Sequence, residues 1–379
     1  MQDAPLLTRV EVMTSRRLLI LIVAAIVAIA AGVWLAGRQG SSGSTSGTGA
    51  LYPDLKGQLN AVSAVNVYKA GDARVVELKK QGENWTVSER DNYPADDGKV
   101  RKLLIAIADA KVNEEKTSNP DAYATLGVED TKGNGATSLR IELAGPPKPV
   151  NLIVGKQGVG ARSNYVRRAG EPQSWLINAT IDASTTPEAW LRKDIIDVSA
   201  DRMQAATVEV KGAKPYTAAK AARADANFAV EGLPKGKALS APTAANSVAM
   251  ALTGLSLADV RAASAFQSTT PAAHATFKTF DGLIVDVDGW VQEQKHYVAL
   301  RPSFDAKQAE QFKVATAPAD EKKDEKKDEK TAPAPPPPAA PNVAEDAQKV
   351  AAKVTGWVYE IPDYKYEALF KPVDQLVAK

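Results

Sequence analysis

The chain has no cysteine and only two histidines among its 379 residues. That rules out disulfides, thiolate nucleophiles, thiolate metal sites and acylation at a lipoprotein cysteine. Charge of one sign is also lacking. Lys and Arg number 47 against 45 Asp and Glu, for a net charge of +2, which argues against nucleic acid as the main partner. Aromatic residues make up only 6%. Long apolar runs are absent too, with one exception near the N-terminus.

That exception is Leu18 to Ala36, nineteen uncharged residues directly after Arg16-Arg17. As a helix it would span roughly 28 Å, close to a bilayer's hydrocarbon core. Arg9, Arg16 and Arg17 precede the run, and only Arg38 follows closely. This bias predicts a single-pass anchor in the cytoplasmic (inner) membrane, with residues 1–17 cytoplasmic and the body periplasmic or otherwise extracytoplasmic. The rival reading is a signal peptide cleaved after Ala28-Ile29-Ala30, but the apolar run continues past that point. The Arg pair also matches a twin-arginine export signal, although ordinary positive flanking explains it. Residues 37–50 are Gly/Ser-rich and read as a flexible tether; ten such residues span roughly 16–19 Å.

The remainder reads as α+β, with two tandem similar modules of antiparallel sheet plus packed helix, at 51–198 and 199–379. In the first, strands are expected near Val62–Tyr68, Arg74–Leu78 and Trp85–Ser88, with glycine-containing turns between them. A helix opened by Pro94 follows, carrying Asp96 and Asp97 in its first turn and Val100, Leu103, Leu104 and Ile107 on one stripe. Strands near Ser138–Leu143, Val150–Val154, Asn164–Arg167 and Trp175–Ile177 come next, and a short helix over Pro187–Ile196 closes the module.

The second module repeats that order. An offset of 148 positions carries the helix stripe onto Val248, Ala251, Leu252 and Leu255, and carries Val112 onto Val260. Strands are expected near Ala206–Val210, Phe228–Val230, Ala275–Phe280, Leu283–Val287, His296–Leu300 and Trp357–Tyr359, with a closing helix over Phe370–Val377. The second module also carries an insertion at about 315–346. It reads DEKKDEKKDEK over Asp320–Lys330 and is mostly Pro and Ala over Ala332–Pro341. Like charges stacked every four residues weaken a helix and proline cannot continue one, so the insertion is expected to be disordered.

Candidate chemistry is sparse. His296 stands at the head of a strand and His274 is placed in a loop; neither has a ligand-spaced partner in sequence. No Gly-x-Ser-x-Gly elbow is present. Gly155 to Gly160 lacks Walker spacing and leads into a strand, so it reads as a hairpin turn rather than a phosphate loop. Asn178-Ala179-Thr180 matches a glycosylation sequon but reads as a plain turn. The pairs Asp96-Asp97 and Glu114-Glu115 cannot form a catalytic pair as helix neighbours, about 100° apart. Trp85, Trp175, Trp190 and Trp357 recur at equivalent points and read as core, and Trp34 suits a membrane interface. Trp290, after Asp288-Gly289, is placed in a turn as an exposed aromatic that could grip a sugar or partner. No catalytic, cofactor-binding or metal residue is assigned, no cofactor is expected, and the binding surface is left open.

Several blocks together resemble the domain-of-unknown-function 4340 family. These are Trp85-Thr86-Val87, Tyr93-Pro94-Ala95-Asp96 leading into Val100 and Leu103-Leu104, Leu126-Gly127-Val128, Ile153-Val154-Gly155-Lys156, Tyr165-Val166-Arg167 and Trp190-Leu191. The resemblance covers about Leu51 to Val198 well and the second module more weakly; the charged and proline-rich insertion departs from it. It implies an anchored bacterial envelope protein without assigned catalytic residues, an accessory of an ABC-type export system. The expectation is a non-enzymatic accessory or scaffold partnered by the membrane and by permease or accessory subunits. The alternatives are a module that binds cell-wall glycan, lipid or peptide, and an enzyme using dispersed carboxylates.

Overall fold

The computed structural model describes residues 49–160, 162–267, 270–312 and 343–378. The expected span Leu18–Ala36, Trp34 and most of the tether lie outside them. Among the described residues no helix is long and apolar enough to cross a membrane. The fold is α+β, built on two large antiparallel sheets.

The first sheet holds β1 (Ala64–Lys69), β2 (Ala73–Gln81), β3 (Asn84–Val87), β4 (Tyr93–Pro94), β5 (Val112–Glu115), β6 (Leu139–Ala144), β7 (Val150–Gln157), β8 (Asn164–Arg168) and β9 (Ser174–Ile177). Their spatial order is β4-β3-β2-β1-β6-β7-β8-β9-β5. The linking strand β10 (Asp194–Ile196) pairs with β14 (Leu255–Ser256). The second sheet holds β11 (Met203–Val210), β12 (Tyr216–Ala219), β13 (Ala229–Glu231), β15 (Asp259–Ala262), β16 (Ala273–Thr279), β17 (Leu283–Gln292), β18 (Lys295–Phe304) and β19 (Trp357–Ile361). Its order, β13-β12-β11-β16-β17-β18-β19-β15, repeats the first strand for strand, without a counterpart of β4.

Helix α1 (Asp97–Ala108) shows how local chemistry sets an element. Asp96 caps it by accepting from the Lys99 N–H at 3.0 Å, and Val100, Leu103, Leu104 and Ile107 are all buried. Pro94 does not open this helix; it lies in β4, where pairing with Thr86 keeps it extended. Later helices are α2 (Tyr123–Leu126), α3 (Asn246–Ala249), α4 (Ala306–Gln311), α5 (Val343–Val354) and α6 (Asp363–Leu369).

Four expectations are corrected here. The stripe Val248 to Leu255 is buried, but only Asn246–Ala249 is helical and Leu255 enters β14. Ala245 offers α3 no side-chain cap, and Gly254, at φ +56, takes the chain out of register for helix. Pro187–Ile196 divides into a 3-10 turn over Pro187–Trp190 and β10, and the closing helix is α6 followed by a 3-10 turn at Val373–Gln375. Residues 343–346, placed in the disordered insertion, form the first turn of α5; 313–342 lie outside the described residues.

One continuous buried core runs through both sheets. The contact between them is also polar. Arg90 Nε meets Asp259 Oδ1 at 2.6 Å and its Nη2 meets Glu188, while Asp91 Oδ2 accepts from the Ala262 N–H at 3.0 Å. These contacts cover the outer edge of β15. At the opposite edge of the first sheet, Gly49–Leu51 run beside β5: Leu51 N donates to Ala110 O and Val112 N to Gly49 O. Arg168, on β8, holds the Leu51 carbonyl at 2.6 Å.

Candidate functional site

The outer face of the second sheet gathers the titratable groups that the sequence left scattered. β16 alternates buried and half-buried residues, so Ala275 and Phe277 enter the core while His274 and Thr276 face outward. Register places His274 opposite Asp288, and Thr276 opposite Asp286. His274 Nδ1 lies 2.8 Å from Asp288 Oδ1, and its Nε2 lies 3.3 Å from Thr276 Oγ1. Thr276 donates to Asp286 Oδ1 at 2.6 Å, and Arg301 on β18 donates to Asp288 Oδ2. Burial opposes ionisation of Asp288, but hydrogen bonds and charge from Arg301 and His274 outweigh it and hold the carboxyl below its usual range.

A concavity of about 620 Å³ adjoins this network. Its walls are the turn after β11, with Lys211 and Pro215, and the segment Thr270-Pro271 before β16; His274, Asp288 and Glu209 lie along it. A second concavity, of about 400 Å³, sits at the same place on the first sheet, between the β1–β2 turn and the start of β6. There Arg140 stacks 3.8 Å from Tyr68 and binds Asp72 Oδ1 at 2.9 Å.

Asp288, His274 and Thr276 follow each other as a catalytic relay would. However, Thr276 directs its only hydroxyl proton to Asp286 rather than to the ring. β16 is paired on both sides, with β11 and β17, so its backbone N–H groups are committed to ladders and none converges as an oxyanion hole. Among the described residues, no group of three or more His, Cys, Asp or Glu could hold a metal ion.

The remaining sequence candidates fall apart in space or into packing. His274 is in a strand, not a loop, and His296 pairs instead with Asp363 at 2.8 Å and lies against Tyr366. Trp290 is in β17, not in a turn. It is 8% exposed, against Phe266 and Tyr297, so it offers no free aromatic face. The true turn is at Glu293-Gln294, both at positive φ, as a type I′ two-residue hairpin requires. Trp85, Trp175 and Trp190 are buried, and Trp357 packs edge-on against Tyr93. Asp97 accepts from the Trp85 N–H, and Glu114-Glu115 lie in β5 rather than in a helix, with Glu114 paired to Lys116 just beyond it. Asn178 Oδ1 accepts from the Lys111 N–H.

Gly155 to Gly160 belongs to the β7–β8 hairpin. A Cβ on Gly155 would stand 2.5 Å from the Leu126 carbonyl, so glycine there serves close packing against Leu126-Gly127-Val128. Arg167, on β8, is buried and donates Nε to Val128 O at 2.8 Å. Three of the blocks that carry the family resemblance thus pack on one another. A family model for a domain of unknown function, DUF4340, matches residues 85–278, just over half of the chain.

The chain belongs to the DUF4340 family.

The match starts at β3 and ends in β16, so it crosses from the first sheet into the second. No curated protein and no solved structure matches the chain.

Proposed function

We propose that this DUF4340 protein is a membrane-anchored, non-enzymatic accessory or scaffold protein of the bacterial cell envelope, working beside an ABC-type export complex. The run Leu18–Ala36 would anchor it in the inner membrane with its N-terminus cytoplasmic, and the Gly/Ser stretch would leash a periplasmic body. The body would be one module duplicated, as the shared strand order of the two sheets suggests.

The observation that carries the non-enzymatic part is the self-satisfied outer network. Asp286, Thr276, His274, Asp288 and Arg301 are linked in sequence by hydrogen bonds to one another. Such a network stiffens a surface for contact and leaves no nucleophile poised over a reacting atom. The test is purification of the full chain from membranes in mild detergent. Export-complex subunits should copurify; their consistent absence would refute the partner assignment. Protease access to the body in spheroplasts, with the N-terminus protected, tests the topology.

A second reading, a module binding cell-wall glycan, lipid or peptide, draws on the grooves at equivalent places of the two sheets. Cosedimentation with a wall fraction distinguishes it.

A further inference from the structure

Where the two sheets meet, buried polar groups converge with their hydrogen-bonding capacity poorly met. Tyr93 on β4 and Tyr359 on β19 are both fully buried, with ring centroids 6.2 Å apart. Neither hydroxyl makes a hydrogen bond of good geometry, nor does the buried Nε of Arg192, although the Tyr93 hydroxyl faces both the Tyr359 hydroxyl and the Arg192 guanidinium. Arg192 is placed beside Tyr93 because its backbone N–H donates to Pro94 O at 3.0 Å. Buried hydroxyls and guanidinium N–H groups are rarely orphaned; each unmet donor costs about 1–3 kcal/mol.

The charge at this place is equally unbalanced. Among the described residues neither Arg192 nor Lys353, in the last turn of α5, has an ion-pair partner. Asp194 is the carboxylate that acts on both Tyr93 and Lys353, but it is exposed and pairs with neither cation. Partial burial, and then the charge of Arg192, hold the Lys353 ammonium below its ordinary range. The two half-buried cations repel across this junction, a repulsion that Asp194 only partly offsets; a bound anion relieves it and gives the poorly met donors an acceptor.

We propose that the junction of the two sheets is a binding site for a small oxyanion, a phosphate or a carboxylate. Arg192 and Lys353 supply the charge, and the hydroxyls of Tyr93 and Tyr359 supply neutral donors. The anion ties β4, the 191–194 segment, α5 and β19 together, so its occupancy fixes one sheet against the other. This inference stands apart from the envelope reading and survives its failure.

The experiment uses the full chain in detergent at constant ionic strength, titrated with inorganic phosphate and separately with acetate, with chloride as the balancing anion. Unfolding midpoint and tryptophan emission are followed, since Trp357 lies 5.0 Å from the Tyr93 ring. The expected result is a saturable change in tryptophan emission, half-complete on the order of millimolar anion, with the unfolding midpoint rising with the logarithm of anion concentration above that point. Comparing the arms tells phosphate from carboxylate selectivity. Arg192→Met and Lys353→Met should each weaken binding at least tenfold, and Tyr93→Phe with Tyr359→Phe several-fold. Arg192→Lys should still saturate, and Lys56→Met, which severs the pair with Asp109 elsewhere, should change nothing. If neither anion gives a saturable emission change, or if Lys353→Met responds as the unaltered chain does, the proposal fails.

Discussion

Replacing Arg167 with methionine tests how the family's glycine and arginine blocks hold each other. Arg167 is 2% exposed. Its Nε donates to Val128 O at 2.8 Å, its Nη1 donates to Glu171 O at 3.0 Å, and its guanidinium lies 4.5 Å from the Tyr123 ring. Nη2 stands 3.0 Å from Asp130 Oδ1 as an ion pair, but off the line of a hydrogen bond. Methionine preserves most of the stem and removes every polar contact. The buried Val128 carbonyl then loses its donor, at about 1–3 kcal/mol, whereas the carbonyl of exposed Glu171 regains water and loses less. Lost stacking on Tyr123 adds about 0.5–2 kcal/mol. Against these stands the relief of no longer burying a cation, so the expected net loss is about 2–4 kcal/mol. That is a large part of a total stability of about 5–15 kcal/mol. Urea unfolding followed by tryptophan emission measures it, with unchanged slope as the check that the unfolded state is the same. Arg167→Lys should lose about half as much. A loss below about 0.5 kcal/mol for Arg167→Met would refute the reasoning, because the guanidinium would then be repaying only its own burial.

Gly289→Ala should cost about 1–3 kcal/mol by the same assay, because the new Cβ would stand 2.5 Å from the Phe370 ring; Phe370→Leu in the same chain should recover part of it. Arg90→Met, which cuts the bridge to Asp259 and Glu188, should lower the thermal midpoint, with the difference shrinking in high salt; an unchanged midpoint would make that bridge ornamental. Burial acts to raise Asp281, but Arg202 and Thr279 hold it lowered, as Arg301 and His274 do Asp288. A lowered folded value means their contribution is present above the unfolded value of about 3.9 and is lost as pH falls through the folded one. Urea midpoints should therefore drop below about pH 4, and Asp281→Asn should flatten part of that drop. Trp290→Phe should leave any wall-polymer binding intact, since the indole is covered; lost binding in a folded variant would contradict its buried placement.

What the sequence made legible follows from where periodicity and capping agree. The stripe of α1 and the Asp96 cap point the same way, and the helix is there. The equivalent stripe near Val248 has the spacing without the cap, and burial alone did not make it a full helix. β12 escaped the sequence reading although Tyr216 and Ala218 are buried on alternate positions, because Lys-Pro before it and Ala-rich sequence after it mask the pattern. Asp288-Gly289 imitates a hairpin turn, yet Gly289 is there to make room for Phe370, and the chain reverses at Glu293-Gln294 without any glycine. The polar networks were not legible at all. His274 meets Asp288 through strand register, and Arg192 reaches Tyr93 through a backbone hydrogen bond to Pro94, far off in sequence.

The stitching of Gly49–Leu51 along β5 has a mechanical consequence. Any pull arriving from the N-terminal side meets backbone hydrogen bonds at a sheet edge before it meets the core. Arg168, holding the Leu51 carbonyl and stacked near Tyr52 and Trp175, carries that load two strands inward, to β8. A load entering at Gly49 is thus taken up first at the β5 edge of the first sheet, the edge opposite the Arg90–Asp259 contact with the second.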